Sequence, residues 1–322
     1  MRLRPFLLNI GCIFSLFIVG TLAGPSRSFA SDESWGVPAW LRAHIGEGED
    51  DIAPIVLQRA RALYLQKVHE GAVRNSCYFA MDATRPNDMG GSGHRFYVIC
   101  ESSQSFRAIS AGHGGGRNLG GVANFANGRR CIKNFGNAMD SDLTAGGAYV
   151  TSEMKTSFKG YYRASAGQEA VFTRAFLQFD GEGETANARE RRVGGHAAVA
   201  LKGLCLMKRP SSPYADQDGY VPRGTLVEYS GGRSDGCTSW TPSDARQIMS
   251  MVRDDPTTLY IYPDAADIRA AARGGSYWNA SCLREIGSPR FWSRETLEPL
   301  LAEYKQAHPA PPPRPIPICK GP

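Results

Sequence analysis

The chain lacks most of the signatures by which a sequence announces its chemistry. No block of Lys and Arg interleaved with aromatics is present, so a nucleic-acid partner is not indicated. No His and Cys residues fall at knuckle or helical ligand spacing, which argues against a zinc site. Gly114-Gly-Gly116 has neither the lysine nor the following Ser/Thr of a phosphate loop, so nucleotide binding is unsupported and no cofactor is implied. There is no internal repeat. Long apolar runs are confined to residues 6–22, and low complexity to the proline-rich 308–317.

The apolar run follows Arg2 and Arg4 and ends at Ser28-Phe29-Ala30, a pattern that predicts a cleavable secretory signal over 1–30. An uncleaved anchor is the alternative, and the run is short for one. Cys12 makes a poor lipidation site, because Asn9 stands where an aliphatic residue is wanted. Removing 1–30 takes three arginines and no acid, so the formal charge falls from +6 to +3. The expectation is a periplasmic or otherwise exported protein with no stable membrane span after cleavage and an unassigned oligomeric state.

Seven cysteines then remain: Cys77, Cys100, Cys131, Cys205, Cys237, Cys282 and Cys319. In an oxidising compartment six can pair, in any of fifteen ways, and one thiol is left over. Cys237 is the candidate for that thiol. It ends Ser234-Asp235-Gly236-Cys237, with His196 the nearest histidine upstream. A thiol beside a proton acceptor is the minimum equipment for acyl transfer. The alternative places Cys237 in a bridge and leaves another cysteine free.

Periodicity predicts a helix over 55–69, preceded by acidic Glu49, Asp50 and Asp51 that suit its N-terminus. Strands are expected at 95–100, 106–111, 171–179, 197–201, 225–229 and 258–262. Thr241-Pro242-Ser243-Asp244 opens a helix running to about 253. Further helices are expected over 264–273 and 293–307. Cys237 then sits at a strand-to-helix corner, where the positive helix end and an imidazole would lower the thiol pKa. The proline tail should be extended, about 30 Å long. A disulfide from Cys319, with Cys282 as the expected partner, could pin it near the substrate groove.

Five segments in order carry a resemblance. They are Arg95–Cys100, Gly112-His-Gly-Gly-Gly-Arg-Asn118, Phe135-Gly-Asn137 with Ser141, Thr144 and Gly147-Ala-Tyr149, then Arg191-Arg-Val-Gly-Gly-His196 and Gly232-Arg-Ser-Asp-Gly-Cys237. Over roughly 76–262 the chain resembles the L,D-transpeptidases of peptidoglycan, in particular the divergent murein L,D-transpeptidase catalytic-domain-like branch. Family members commonly have His where Asp235 stands. The His-to-Cys separation is also longer than usual, and 206–224 reads as an inserted surface loop.

The resemblance implies a mainly β fold with flanking helices (α+β), a β-sandwich or barrel catalytic domain at 76–263. Residues 31–75 would form an N-terminal helical segment, and 264–322 C-terminal helices plus the tail. It implies a cysteine acyltransferase that crosslinks peptidoglycan stem peptides through a thioester on Cys237, with His196 moving protons. The backbone N–H groups of Gly236 and Cys237 would form the oxyanion hole, and the carbonyl of Ala197 or Gly195 would orient the histidine. Arg233, Ser234, Asp235 and His113 are candidate substrate contacts. A cell-wall cysteine peptidase and a non-catalytic wall-binding protein are the competing readings.

Overall fold

A computed structural model describes residues 36–86, 94–128, 130–165, 167–229, 233–274, 279–287 and 289–320. The expected signal segment and Cys12 lie outside these described residues. Among them, the core is a ten-stranded mixed sheet. Its strands in chain order are β1 (Cys77–Asp82), β2 (His94–Cys100), β3 (Ser105–Ser110), β4 (Gly147–Arg163) and β5 (Glu169–Gly181). They continue with β6 (Gly194–Ala197), β7 (Val199–Lys208), β8 (Tyr220–Glu228), β9 (Thr238–Trp240) and β10 (Thr258–Tyr262). The spatial order is β9-β6-β5-β4-β10-β1-β2-β3, with β8 joined to β4 and β7 to β8. The protein is mainly β with flanking helices, as the resemblance implied.

Period-2 alternation in β1 explains why the sheet is covered on both faces. Phe79 and Met81 point into one core with Phe96, Val98, Leu259, Trp240 and Ile248. Tyr78 and Ala80 point the other way, toward Tyr97, Ile99 and Tyr260 and onto helix α2 (Pro54–His69). That helix follows the short α1 (Ala39–Arg42) and buries Val56, Leu57, Ala60 and Leu63 on this second face. Each of Val56, Leu57 and Leu63 contributes about 1.5–3 kcal/mol by burial. The acids expected at its start are not in its first turn. Instead Asp51 accepts the Gly48 N–H at 3.0 Å, and Arg85 donates to the carbonyls of Glu47, Gly48, Glu49 and Asp51.

Helix α3 (Pro242–Val252) starts as its sequence predicts, with proline in the first turn and Thr241 accepting the Asp244 N–H at 3.2 Å. Helix α4 (Ala265–Ala271) is capped by Asp264, α5 (Ala280–Ile286) by Asn279 and α6 (Arg294–Ala307) by Ser293. None of the helices among the described residues is long and apolar enough to cross a membrane.

Among the described residues three disulfides join Cys77 to Cys100, Cys131 to Cys282, and Cys205 to Cys319, and Cys237 is the free thiol. Cys282 is therefore not the partner of Cys319. Cys77 and Cys100 face each other across the β1–β2 pair, and Cys131 anchors α5. The tail is pinned, but along β7: the Leu206 N–H donates to the Pro317 carbonyl at 2.7 Å, and the Cys319 N–H to the Leu206 carbonyl at 2.9 Å. Of the segment 206–224, expected as a surface loop, residues 209–219 are the connection of the β7–β8 hairpin and the residues at either end belong to its strands. Its polarity reflects the partial exposure of both strands.

Candidate active site

The strand β9 places Cys237. It runs parallel to β6, with Gly195 opposite Thr238, His196 opposite Ser239 and Ala197 opposite Trp240. Cys237 immediately precedes β9, so the register sets it beside the start of the strand that carries His196. Trp240 anchors this junction, 1 % exposed, its ring edge-on to Phe96 at 5.2 Å. Glycine is required at 195, because a Cβ there would lie 2.0 Å from the Trp240 ring. It is required at 236 for another reason, a φ of +94° in the turn just before the nucleophile.

Cys237 and His196 line one cavity of about 610 Å³, with Phe176, Gln178 and Asp235. The imidazole Nδ1 lies 2.9 Å from the carbonyl oxygen of Ala197. A carbonyl can only accept, so Nδ1 carries the hydrogen and Nε2 is the nitrogen left for proton exchange. Phe176 packs alongside the ring, nearly parallel, at 6.4 Å between centroids. Of the two carbonyls expected to orient the histidine, Ala197 does so and Gly195 does not.

The thiol donates to the Arg192 carbonyl at 3.5 Å, and among the described residues no hydrogen bond joins it to the imidazole. Cys237 is partly exposed, on the wall of the cavity. Burial pushes the thiol up, against the Gly194 N–H and the cations Arg191 and Arg174, while Asp235 adds to the rise. Burial also pushes His196 down, and Arg174 reinforces this, opposed by the Ala197 carbonyl and Asp235. The resting pair is thus a neutral thiol and a neutral imidazole.

The expected lowering of the thiol pKa is corrected by this environment. Its physical reason is burial, which the helix does not offset because the three extended residues of β9 separate Cys237 from the N-cap Thr241, on the order of 10 Å. The helix end is spent on Asp244, which sits in its own first turn.

Among the other expected residues, Gly236 is buried and neither its N–H nor that of Cys237 is engaged by another described residue, which leaves both available to an oxyanion. Asp235 is exposed and lines the cavity. Ser234 steadies the turn that follows it, its hydroxyl donating to the Cys237 carbonyl. Arg233 and Ser234 form a short strand parallel to His113–Gly114. His113 is 1 % exposed, its Nδ1 3.0 Å from the Gly114 carbonyl, and it does not line the cavity. A buried ring of this kind supports the Gly-rich segment, which corrects its expected role as a substrate contact. The tail does not line the cavity either.

Residues that sequence reasoning did not single out make up the rest of the wall. Lys155, Lys159, Arg174 and Arg189 come from β4, β5 and the turn after β5, and Arg191 and Arg192 precede β6. Arg191 donates to the carbonyls of Gly136 and Leu143 at 3.2 and 2.7 Å and so fixes the loop behind the thiol. Arg192 has a φ of +56°, uncommon for a residue with a side chain, and it is this residue whose carbonyl meets the thiol. Among the described residues no group of three or more His, Cys, Asp or Glu could hold a metal ion.

The chain matches no family model, no curated protein and no solved structure.

Proposed function

We propose that the protein is a peptidoglycan L,D-transpeptidase, a cysteine acyltransferase of L,D-transpeptidase-like fold acting on stem peptides in the periplasm. One observation supports this above the others: the single unpaired thiol among seven exported cysteines shares a cavity with a histidine whose Nδ1 is tied to its own strand. Three disulfides beside one preserved thiol suit an oxidising compartment in which that thiol has work to do.

The chemistry follows from the neutral pair. As the Cys237 sulfur attacks the carbonyl of a stem-peptide amide, its proton passes to His196 Nε2, and the developing oxyanion takes the N–H groups of Gly236 and Cys237. The imidazolium then protonates the departing amine, and the C–N bond breaks to leave a thioester on Cys237. An amine from a neighbouring stem attacks the thioester and gives its proton to Nε2. Collapse forms the new amide, and the proton returns to the sulfur. No external energy source is needed, because the amide's acyl potential is retained in the thioester.

Purified disaccharide-peptides incubated with the wild type and with Cys237→Ala test the reading by mass spectrometry of the products. Dimers formed only by the wild type support crosslinking. Shortened monomers without dimers would replace it with hydrolysis by the same thioester, and no product at all would leave a wall-binding role.

A further inference from the structure

The cavity beside Cys237 carries far more positive than negative charge. Lys155, Lys159, Arg174, Arg189, Arg191 and Arg192 line it, against the single carboxylate of Asp235. Some of these cations are already matched. Lys155 and Arg189 share Glu153, at 3.0 and 2.6 Å, and Arg189 also meets Asp180 at 2.8 Å. Arg191 is held by two backbone carbonyls. Lys159, Arg174 and Arg192 have no ion pair among the described residues.

Register shows where these groups stand relative to the nucleophile. Lys155 on β4, Phe176 on β5 and His196 on β6 form one row across the sheet. Ser157 and Arg174 form the next row, and Lys159 lies two residues further along β4 at a register shift. Period-2 alternation therefore puts Lys155 and Ser157 on the face that carries Arg174, Phe176 and His196, and Lys159, the extra residue at the shift, lines the same cavity. Arg174 Nη2 donates to the Val199 carbonyl at 2.6 Å, while its Nε has no partner. Its charge is felt at both Cys237 and His196. A sheet wall with a fixed guanidinium one row from the catalytic imidazole, and an exposed ammonium beyond it, is built to receive an anion.

We propose that this groove selects its substrates by their free carboxylates, with Arg174 and Lys159 as the anion-binding pair on the wall that also carries His196. Arg174 supplies the planar fork suited to a carboxylate, and Lys159 a movable point charge further along the strand. The assignment of the anion to a stem peptide rests on the acyl-transfer reading. Charge selection at the thiol does not.

Two alkylating reagents of similar size test the charge selection directly: anionic iodoacetate and neutral iodoacetamide. The same thiolate attacks both and displaces iodide, so any change in the ionisation of Cys237 cancels in the ratio of their rates. A peptide spanning 234–240 is the reference thiol. The expected result is an iodoacetate preference in the protein about tenfold above that of the peptide, lowered roughly three- to fivefold by either Arg174→Gln or Lys159→Met and collapsed by 0.5 M NaCl. A ratio equal to the peptide's, or one indifferent to both variants, overturns the proposal. Lys159 is exposed, so its variant keeps the test valid where Arg174→Gln disturbs the fold.

A second arm compares stem peptides with free and amidated carboxylates. The expected outcome is a KM raised about tenfold by amidation with kcat little changed. Equal turnover of both stems, with a flat reagent ratio, removes carboxylate selection and leaves acyl transfer standing. A strong iodoacetate preference with no turnover of either stem upholds the anion site and removes the transpeptidase reading.

Discussion

His196 Nδ1 and the carbonyl oxygen of Ala197, its own neighbour in β6, are 2.9 Å apart. The base of the site is thereby oriented by the strand that bears it, with no carboxylate required. His196→Gln retains a polar side chain in the same cavity but cannot move a proton. Its acyl-transfer rate is expected to fall about 10²–10⁴-fold, measured as turnover of disaccharide-peptides, with near-ultraviolet circular dichroism unchanged.

Because burial holds the thiol up and the imidazole down, Cys237 rests as a neutral thiol at neutral pH and reacts through its small thiolate fraction. Its alkylation by iodoacetamide should keep climbing with pH beyond about 9, and His196→Gln should change the rate at pH 7 by less than about threefold. A plateau reached below pH 7 would signify a thiolate–imidazolium pair and contradict the neutral resting state.

The same shifts appear in stability, with opposite signs at the two ends. A thiol whose folded pKa is raised stabilises the fold below its unfolded value, and that contribution is lost as pH rises above about 8.5. A histidine whose folded pKa is lowered stabilises the fold above about pH 6.5 and loses that contribution as pH falls. Thermal unfolding against pH should therefore flatten on the alkaline side in Cys237→Ala and on the acidic side in His196→Gln.

Gly236 holds a φ of +94° directly before the nucleophile and has room for a Cβ no nearer than 3.1 Å, to the Leu143 carbonyl. In Gly236→Ala the turn must rotate to relieve a strain of about 1–3 kcal/mol, carrying the N–H groups of residues 236 and 237 with it. Turnover is expected to drop by about 10² or more, while the unfolding temperature falls only a few degrees.

The Cys205–Cys319 bond ties the tail to β7, away from the Cys237 cavity. Cys205→Ser with Cys319→Ser should expose 308–320 to proteolysis and cost on the order of 5 kcal/mol, since the bond closes a 114-residue separation. The iodoacetamide rate at Cys237 should not change. A large change there would mean that the tail reaches the groove.

Much of this architecture was legible in the sequence because local signals carried it. Thr241-Pro242 marked α3 through a side-chain cap and a proline whose missing N–H costs nothing at a first turn, and β10 stood out as a short apolar run. The odd cysteine count left one thiol over, and the Ser234-Asp235-Gly236 context pointed to Cys237. Pairing did not follow from counting, because it depends on the register that sets Cys77 opposite Cys100 and on the path that brings Cys319 to β7. The thiol environment was misjudged for a similar reason: the β9 strand between Cys237 and Thr241 is only three residues long and left no clear pattern.

The groove wall escaped notice because β4 alternates polar residues on both faces, so its 17 residues lack the apolar period that marks a half-buried strand. Lys155, Ser157 and Lys159 do alternate, and so do Arg174, Phe176 and Gln178. That shared period was the available signal, and it acquires meaning only once β4 and β5 are known to pair.

Intact-protein mass spectrometry after rapid quenching in acid reads the thioester itself. Wild-type protein mixed with a disaccharide-tetrapeptide should gain the mass of the donor fragment on the peptide containing Cys237, reversibly with hydroxylamine, while Cys237→Ala gains nothing. An adduct on any other residue, or product formation by Cys237→Ala at the wild-type rate, would contradict a thioester at this sulfur.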